Sequence, residues 1–83
     1  PFFLDTLGWV HLKMGHQDDA LRVIQRAVAQ APQHPLLNYH LGMAHFKAGH
    51  RLEAQAHLKK ALNSKQPFPG MDEAKAVLAE VTG

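Results

Sequence analysis

Apolar residues recur along most of this chain at three- and four-residue intervals rather than in alternation, which predicts amphipathic helices and no strands. A first helix is expected from about Phe2 to Met14 and a second from about Asp18 to Ala31, separated at Gly15 and ended by Pro32, which cannot supply a helix-interior amide. A third and fourth are expected from about Leu36 to Ala48 and from Leu52 to Lys65, separated at Gly49. Asn38 is the one clear interruption of their apolar stripe. Pro67-Phe68-Pro69-Gly70 then breaks the pattern. A fifth helix follows from Met71 to about Val81, with Asp72 and Glu73 placed near its positive end.

The order of these elements contains a repeat. Sliding the chain against itself by 34 residues, without a gap, sets Pro1 on Pro35, Leu7-Gly8 on Leu41-Gly42, His11 on His45 and Lys13 on Lys47. The same offset sets Gly15-His16 on Gly49-His50, Ala20 on Ala54 and Ala27 on Ala61, and pairs Asp19 with Glu53. A duplicated helical hairpin is the reading, with units at 1–34 and 35–66 and a linker and capping helix at 67–83. Ala20, Ala27, Ala54 and Ala61 are small where two helices must approach, and Gly8 and Gly42 lack the Cβ that would hold backbones apart. Leu7, Ile24, Val28, Leu41, Leu58 and Leu62 are expected to fill the space between.

The run Leu4-x-x-Leu7-Gly8-x-x-His11, then Ala20-x-x-x-Ile24, Ala27 and Pro32, resembles the 34-residue tetratricopeptide repeat signature. The second unit matches at Leu41-Gly42, Ala54-x-x-x-Leu58 and Ala61. Leu4 and Asn38 stand where the family has tryptophan, His11 and His45 where it has tyrosine, and Gln66 where it has the closing proline. The resemblance covers residues 1–66 and implies an all-α, right-handed solenoid of two hairpins with a solvating carboxy-terminal helix. More narrowly, Leu4-Asp5-Thr6-Leu7-Gly8-Trp9, Tyr39-His40-Leu41 and Pro67-Phe68-Pro69-Gly70-x-x-Glu73-Ala74 resemble the carboxy-terminal end of long bacterial repeat proteins. Those include lipoproteins linked to exopolysaccharide export and to exosortase sorting.

The resemblance implies a non-enzymatic scaffold that binds a protein or peptide along the first helices of its hairpins. The groove positions it implies are Asp5, Trp9, Leu12 and Lys13 in the first unit, and Tyr39, His40, Met43, Phe46 and Lys47 in the second. Asp5, Trp9, Tyr39 and Met43 stand where family members that clamp a terminal carboxylate carry Lys, Asn and Arg, so an apolar and aromatic peptide or helix is the expected ligand. The competing reading is that upstream repeats or ordinary packing cover these residues, leaving terminal repeats that self-associate without a peptide of their own.

Composition narrows the remaining classes. The chain has 83 residues, 46% of them hydrophobic, and no cysteine, which removes disulfides, thiolate metal sites and a cysteine nucleophile. A net charge of +2 is far smaller than the isoelectric point of 9.3 suggests, and the basic residues are scattered, so no nucleic-acid footprint is expected. No apolar run is long enough for a membrane helix within this segment. The lack of an initiator Met, at a proline already inside the repeat, predicts that residues precede Pro1.

Candidate chemistry is thin. Thr6, Ser64, Thr82 and Tyr39 have no patterned base beside them, and Asp18-Asp19 and Asp72-Glu73 suit helix starts, so no catalytic residue and no cofactor is expected. The seven histidines include His11 and His16, His40 and His45, and His45 and His50, all five apart. No two stand three or four apart on one helical face, so no metal site is expected and a histidine metal module remains the lesser alternative. Phe3, Leu7, Val10 and Met14 form an apolar stripe on a first helix that is apolar nearly all round. Their counterparts Leu37, Leu41, Ala44 and Ala48 should face the preceding helix, whereas nothing in the chain precedes the first. A homo-oligomer through Phe2, Phe3, Val10 and Met14 is the expectation.

Overall fold

The positions of glycine and proline set the boundaries of the fold. A computed structural model describes residues 2–82, apart from the side chain of Phe2, so that part of the expected self-association stripe lies outside the described residues. The helices are α1 (Phe2–Lys13), α2 (Gln17–Gln30), α3 (Pro35–Lys47), α4 (Arg51–Asn63) and α5 (Met71–Thr82), and no strand occurs among the described residues. Pro35 opens α3 at a first-turn position where its missing N–H leaves no bond unmade. The expected starts at Phe2 and Met71 coincide with these, and the other expected ends differ by one or two residues.

Two turns are built alike. Gly15 and Gly49 adopt φ of 83° and 82°, the left-handed conformation that closes a helix. The Gly15 N–H donates to Leu12 O at 3.1 Å and the His16 N–H to His11 O at 2.9 Å; the Gly49 N–H donates to Phe46 O at 3.1 Å and the His50 N–H to His45 O at 2.8 Å. These paired bonds satisfy the last carbonyls of α1 and α3 and reverse the chain into α2 and α4.

α1 packs on α2 and α3 on α4, while α2 also packs on α3 and α4 on α5, giving an all-α stack of two hairpins and a closing helix. Close approach within each hairpin depends on missing atoms. A Cβ on Gly8 would overlap Ile24 Cγ1, and one on Gly42 would stand 2.8 Å from Leu58 Cδ2. Ile24, Leu37 and Leu58 are fully buried, as are Ala20, Ala27, Ala44, Ala54, Ala61 and Ala74. α3, enclosed by α1, α2, α4 and α5, buries an unbroken run from Leu37 to His45.

α1 has no such enclosure. Leu7, expected in the core, is 40% exposed, whereas its counterpart Leu41 is buried, because α2 covers α3 and no described helix covers that side of α1. Phe3 and Met14 are exposed and Val10 is about half exposed; Leu37 and Ala44, the counterparts of Phe3 and Val10, are buried, and Ala48, the counterpart of Met14, is half-buried. At the opposite end Arg51 reaches from α4 to the last turn of α5, donating from Nε to Val81 O at 2.9 Å and from Nη2 to Glu80 O at 3.1 Å. It supplies donors to carbonyls that a helix end leaves unpaired.

Candidate functional site

α1, α3 and α5 share the face on which the sequence places a groove, and its centre is Trp9. The indole lies half-buried on the imidazole of His40, with centroids 4.1 Å apart and planes at 23°. The His40 ring is fixed from behind: its Nδ1 lies 2.7 Å from both carboxylate oxygens of Asp5. Nδ1–H donates to the carboxylate whether or not His40 carries its second proton, and the contact becomes an ion pair when it does. Tyr39 stands 5.9 Å from Trp9 and 5.3 Å from Phe68, and Lys13 Nζ sits 4.9 Å above the indole.

Trp9 separates two clefts. One, of about 310 Å³, is lined by Trp9, Leu36, Tyr39, His40, Pro69 and Gly70 and is mostly apolar. The other, of about 160 Å³, is lined by Trp9, Leu12, Lys13, Met43, Lys47 and Glu73 and carries charges of both signs. A larger concavity, about 600 Å³, lies elsewhere, between the α2–α3 turn and α4, where Lys59, Lys60 and other polar side chains leave it open and without an aromatic wall.

Of the nine groove positions named from the sequence, Asp5, Leu12, Tyr39, His40 and Met43 are buried, Trp9 and Phe46 are half-buried, and Lys13 and Lys47 are exposed. Asp5 and His40 satisfy each other beneath the indole instead of facing outward. Phe46 does not join the others, and instead lines a separate hollow with Gly49, Arg51, Glu80 and Val81. The sequence reading missed Leu36, Phe68 and Glu73. Glu73 had a signal, since it stands 34 residues beyond Tyr39, as Tyr39 stands 34 beyond Asp5. Burial, and secondarily the Glu73 carboxylate, push the Tyr39 phenol above its ordinary pKa, so it remains a neutral hydroxyl at neutral pH.

The family model for the tetratricopeptide repeat matches residues 11–81, from the last turn of α1 through α5. The chain belongs to the tetratricopeptide repeat family. The match is to the repeat and does not extend to the bacterial envelope proteins of the narrower resemblance. No curated protein matches the chain. Tetratricopeptide repeats generally mediate protein–protein interaction or assembly and typically act as non-enzymatic scaffolds.

The two tetratricopeptide units also carry histidines that the five-residue spacing was expected to keep apart. That expectation assumed a continuous helix, and the helix ends between them. The glycine turn folds residue 16 back over residue 11, leaving their Nδ1 atoms 3.4 Å apart, and likewise brings His45 Nδ1 to 3.0 Å from His50 Nδ1. In the second unit the cluster extends inward. His57 stacks on His45 at 5.7 Å and 10°, and its Nδ1 donates to Asn38 Oδ1 at 3.0 Å. Asn38 is fully buried and donates from Nδ2 to Pro32 O and His34 O, both at 3.0 Å. Burial lowers the pKa of both His45 and His57; nearby His57 and His50 add to the effect at His45, and Lys60 at His57, with Glu53 opposing at both.

Proposed function

We propose that this tetratricopeptide module binds a peptide or helix of a partner protein across α1, α3 and the start of α5, with Trp9 as its anchor. The observation that carries the reading is the placement of the indole: it walls both clefts, and the Asp5–His40 pair holds it in one orientation from below. A rigid aromatic ledge beside a hollow is the kind of surface on which interface energy concentrates, because little side-chain entropy is lost on binding. The mostly apolar cleft beside Leu36 and Pro69 suits an apolar side chain of the partner, and Lys13 and Lys47, with Glu73 opposite, suit a ligand carrying both charges. Asp5, buried and paired, offers nothing to a terminal carboxylate.

Peptides selected on the immobilised chain from a random display library provide the test. Their binding should change the fluorescence of Trp9, the single tryptophan. By calorimetry, Trp9→Ala should weaken them about tenfold or more, and the exposed substitution Lys47→Glu should shift affinity without loss of fold. Peptides that bind both variants as well as the parent chain would refute the groove.

A second reading is supported by the exposed stripe of Phe3, Leu7, Val10 and Met14 on the opposite side of α1: two copies of the chain pair through it. The two readings use different faces of one helix and are compatible.

A further inference from the structure

We infer that the α1–α2 turn is a divalent transition-metal site, with His11, His16 and Asp19 as its protein ligands. This goes beyond the groove reading and uses none of its residues. The turn sets the geometry. In a helix closed by left-handed Gly15, the residue after the glycine donates its N–H to the carbonyl five positions back, so the side chains of those two residues must meet; commonly they are apolar. Here both are imidazoles.

Two nitrogens bound to one tetrahedral zinc at its usual bond length lie about 3.3 Å from each other. The Nδ1 atoms of His11 and His16 are 3.4 Å apart. Asp19, one helical turn beyond His16, completes the set, and one ligand atom from each of the three residues lies within 4.8 Å of the others. A swing of the half-buried carboxylate closes the remaining gap. Arg22 Nη2 donates to Asp19 Oδ1 at 2.7 Å, an exposed contact along one helix that competes with this swing and leaves the second carboxylate oxygen unused. His16 is exposed and its side chain makes no cap bond to α2, and its Nδ1 faces that of His11.

Two imidazole nitrogens and one carboxylate select zinc and its late first-row neighbours over magnesium or calcium, and three ligands leave a fourth position for water. The second unit is the internal contrast. Its histidine pair is closer still, at 3.0 Å, but His45 is buried and stacked on His57, and among the described residues only His11, His16 and Asp19 form a convergent set of three.

Titration of the metal-free chain with zinc chloride, followed by calorimetry and by the imidazole proton resonances, tests the site. One saturable zinc per chain is expected, perturbing His11 and His16. His16→Ala should lower affinity at least tenfold, Asp19→Asn should lower it less, and Arg22→Ala should raise it by freeing a carboxylate oxygen. His50→Ala should leave stoichiometry and affinity unchanged. Because His16 is exposed, circular dichroism should show that His16→Ala keeps the fold, so a loss of zinc binding reports the ligand. Absence of saturable binding in the parent chain, or binding that survives His16→Ala, would overturn the assignment. The groove reading would stand in either case, since peptide binding is measured without metal.

Discussion

Asn38 occupies a place where its amide orientation is decided by its partners. Nδ2 donates to two carbonyls of the α2–α3 turn, so Oδ1 must accept, and His57 must therefore carry its proton on Nδ1. Three bonds from one buried side chain tie the turn to α4. Asn38→Ala should cost about 1 to 3 kcal/mol in chemical denaturation, because it leaves part-buried donors and acceptors unpaired rather than merely removing a contact. The sequence marked Asn38 as a polar break in an apolar stripe. It could not supply His57, which comes from another helix. The same network gives a pH dependence. Burial holds His45 and His57 below the ordinary histidine value, so the folded state favours their neutral forms. As pH falls through the unfolded-state value of about 6.5, the unfolded chain takes up protons that the folded chain resists, and stability present above that pH is lost. The His50 ring, whose Nδ1 is 3.0 Å from that of His45, adds to the lowering at His45. The melting temperature should fall between pH 7.5 and pH 5, and His57→Asn, which keeps a donor without a titrating ring, should make the fall shallower.

At the scale of the helix, most information lies at the ends. Gly15, Gly49 and Pro32 made the boundaries legible, since glycine enters the left-handed conformation that other residues avoid and proline cannot supply a helix-interior amide. What those turns do to the side chains beside them was not legible from helical spacing. His11 and His16, or His45 and His50, meet only because the helix has stopped. The closing helix shows the same limit. Its apolar face at Ala74, Val77 and Val81 could be read from spacing and is buried, but the bonds from Arg51 to Glu80 O and Val81 O come from a residue twenty-nine or thirty positions away. Arg51→Ala should cost about 1 kcal/mol, discounted because the side chain is exposed, and should act locally. Amide hydrogen exchange would detect it as faster exchange in the last turns of α5 with little change in α2. Equal acceleration in both would mean that α5 opens only with the whole molecule.

For the whole molecule, the stacking of hairpins determines which faces are finished. Inner helix faces are covered by neighbouring elements: α2 packs on α3, whose Leu37, Leu41 and Ala44 are buried, and α5 packs on α4. The repeat offset made this layered plan readable from Gly8, Gly42 and the shared alanines. The groove was harder to read, because Asp5 and His40 pair across two units and Phe46 turns toward another hollow. On α1 the repeat leaves Phe3, Leu7 and Val10 exposed at positions equivalent to those that α3 buries, with the exposed Met14 just beyond its end. In water that stripe is costly, at roughly 25 cal/mol for each Å² of apolar surface left uncovered. Two copies related by a two-fold axis would place the same stripe on itself, so a single surface serves both partners. A homodimer is the expected state at high concentration. Sedimentation velocity should show a concentration-dependent shift toward twice the monomer mass, and Val10→Glu should return the chain to monomer with its helical signal intact, because Val10 is about half exposed and contributes little to the fold of one copy. If the chain stays monomeric at every concentration, and Val10→Glu changes nothing, the stripe does not join two copies.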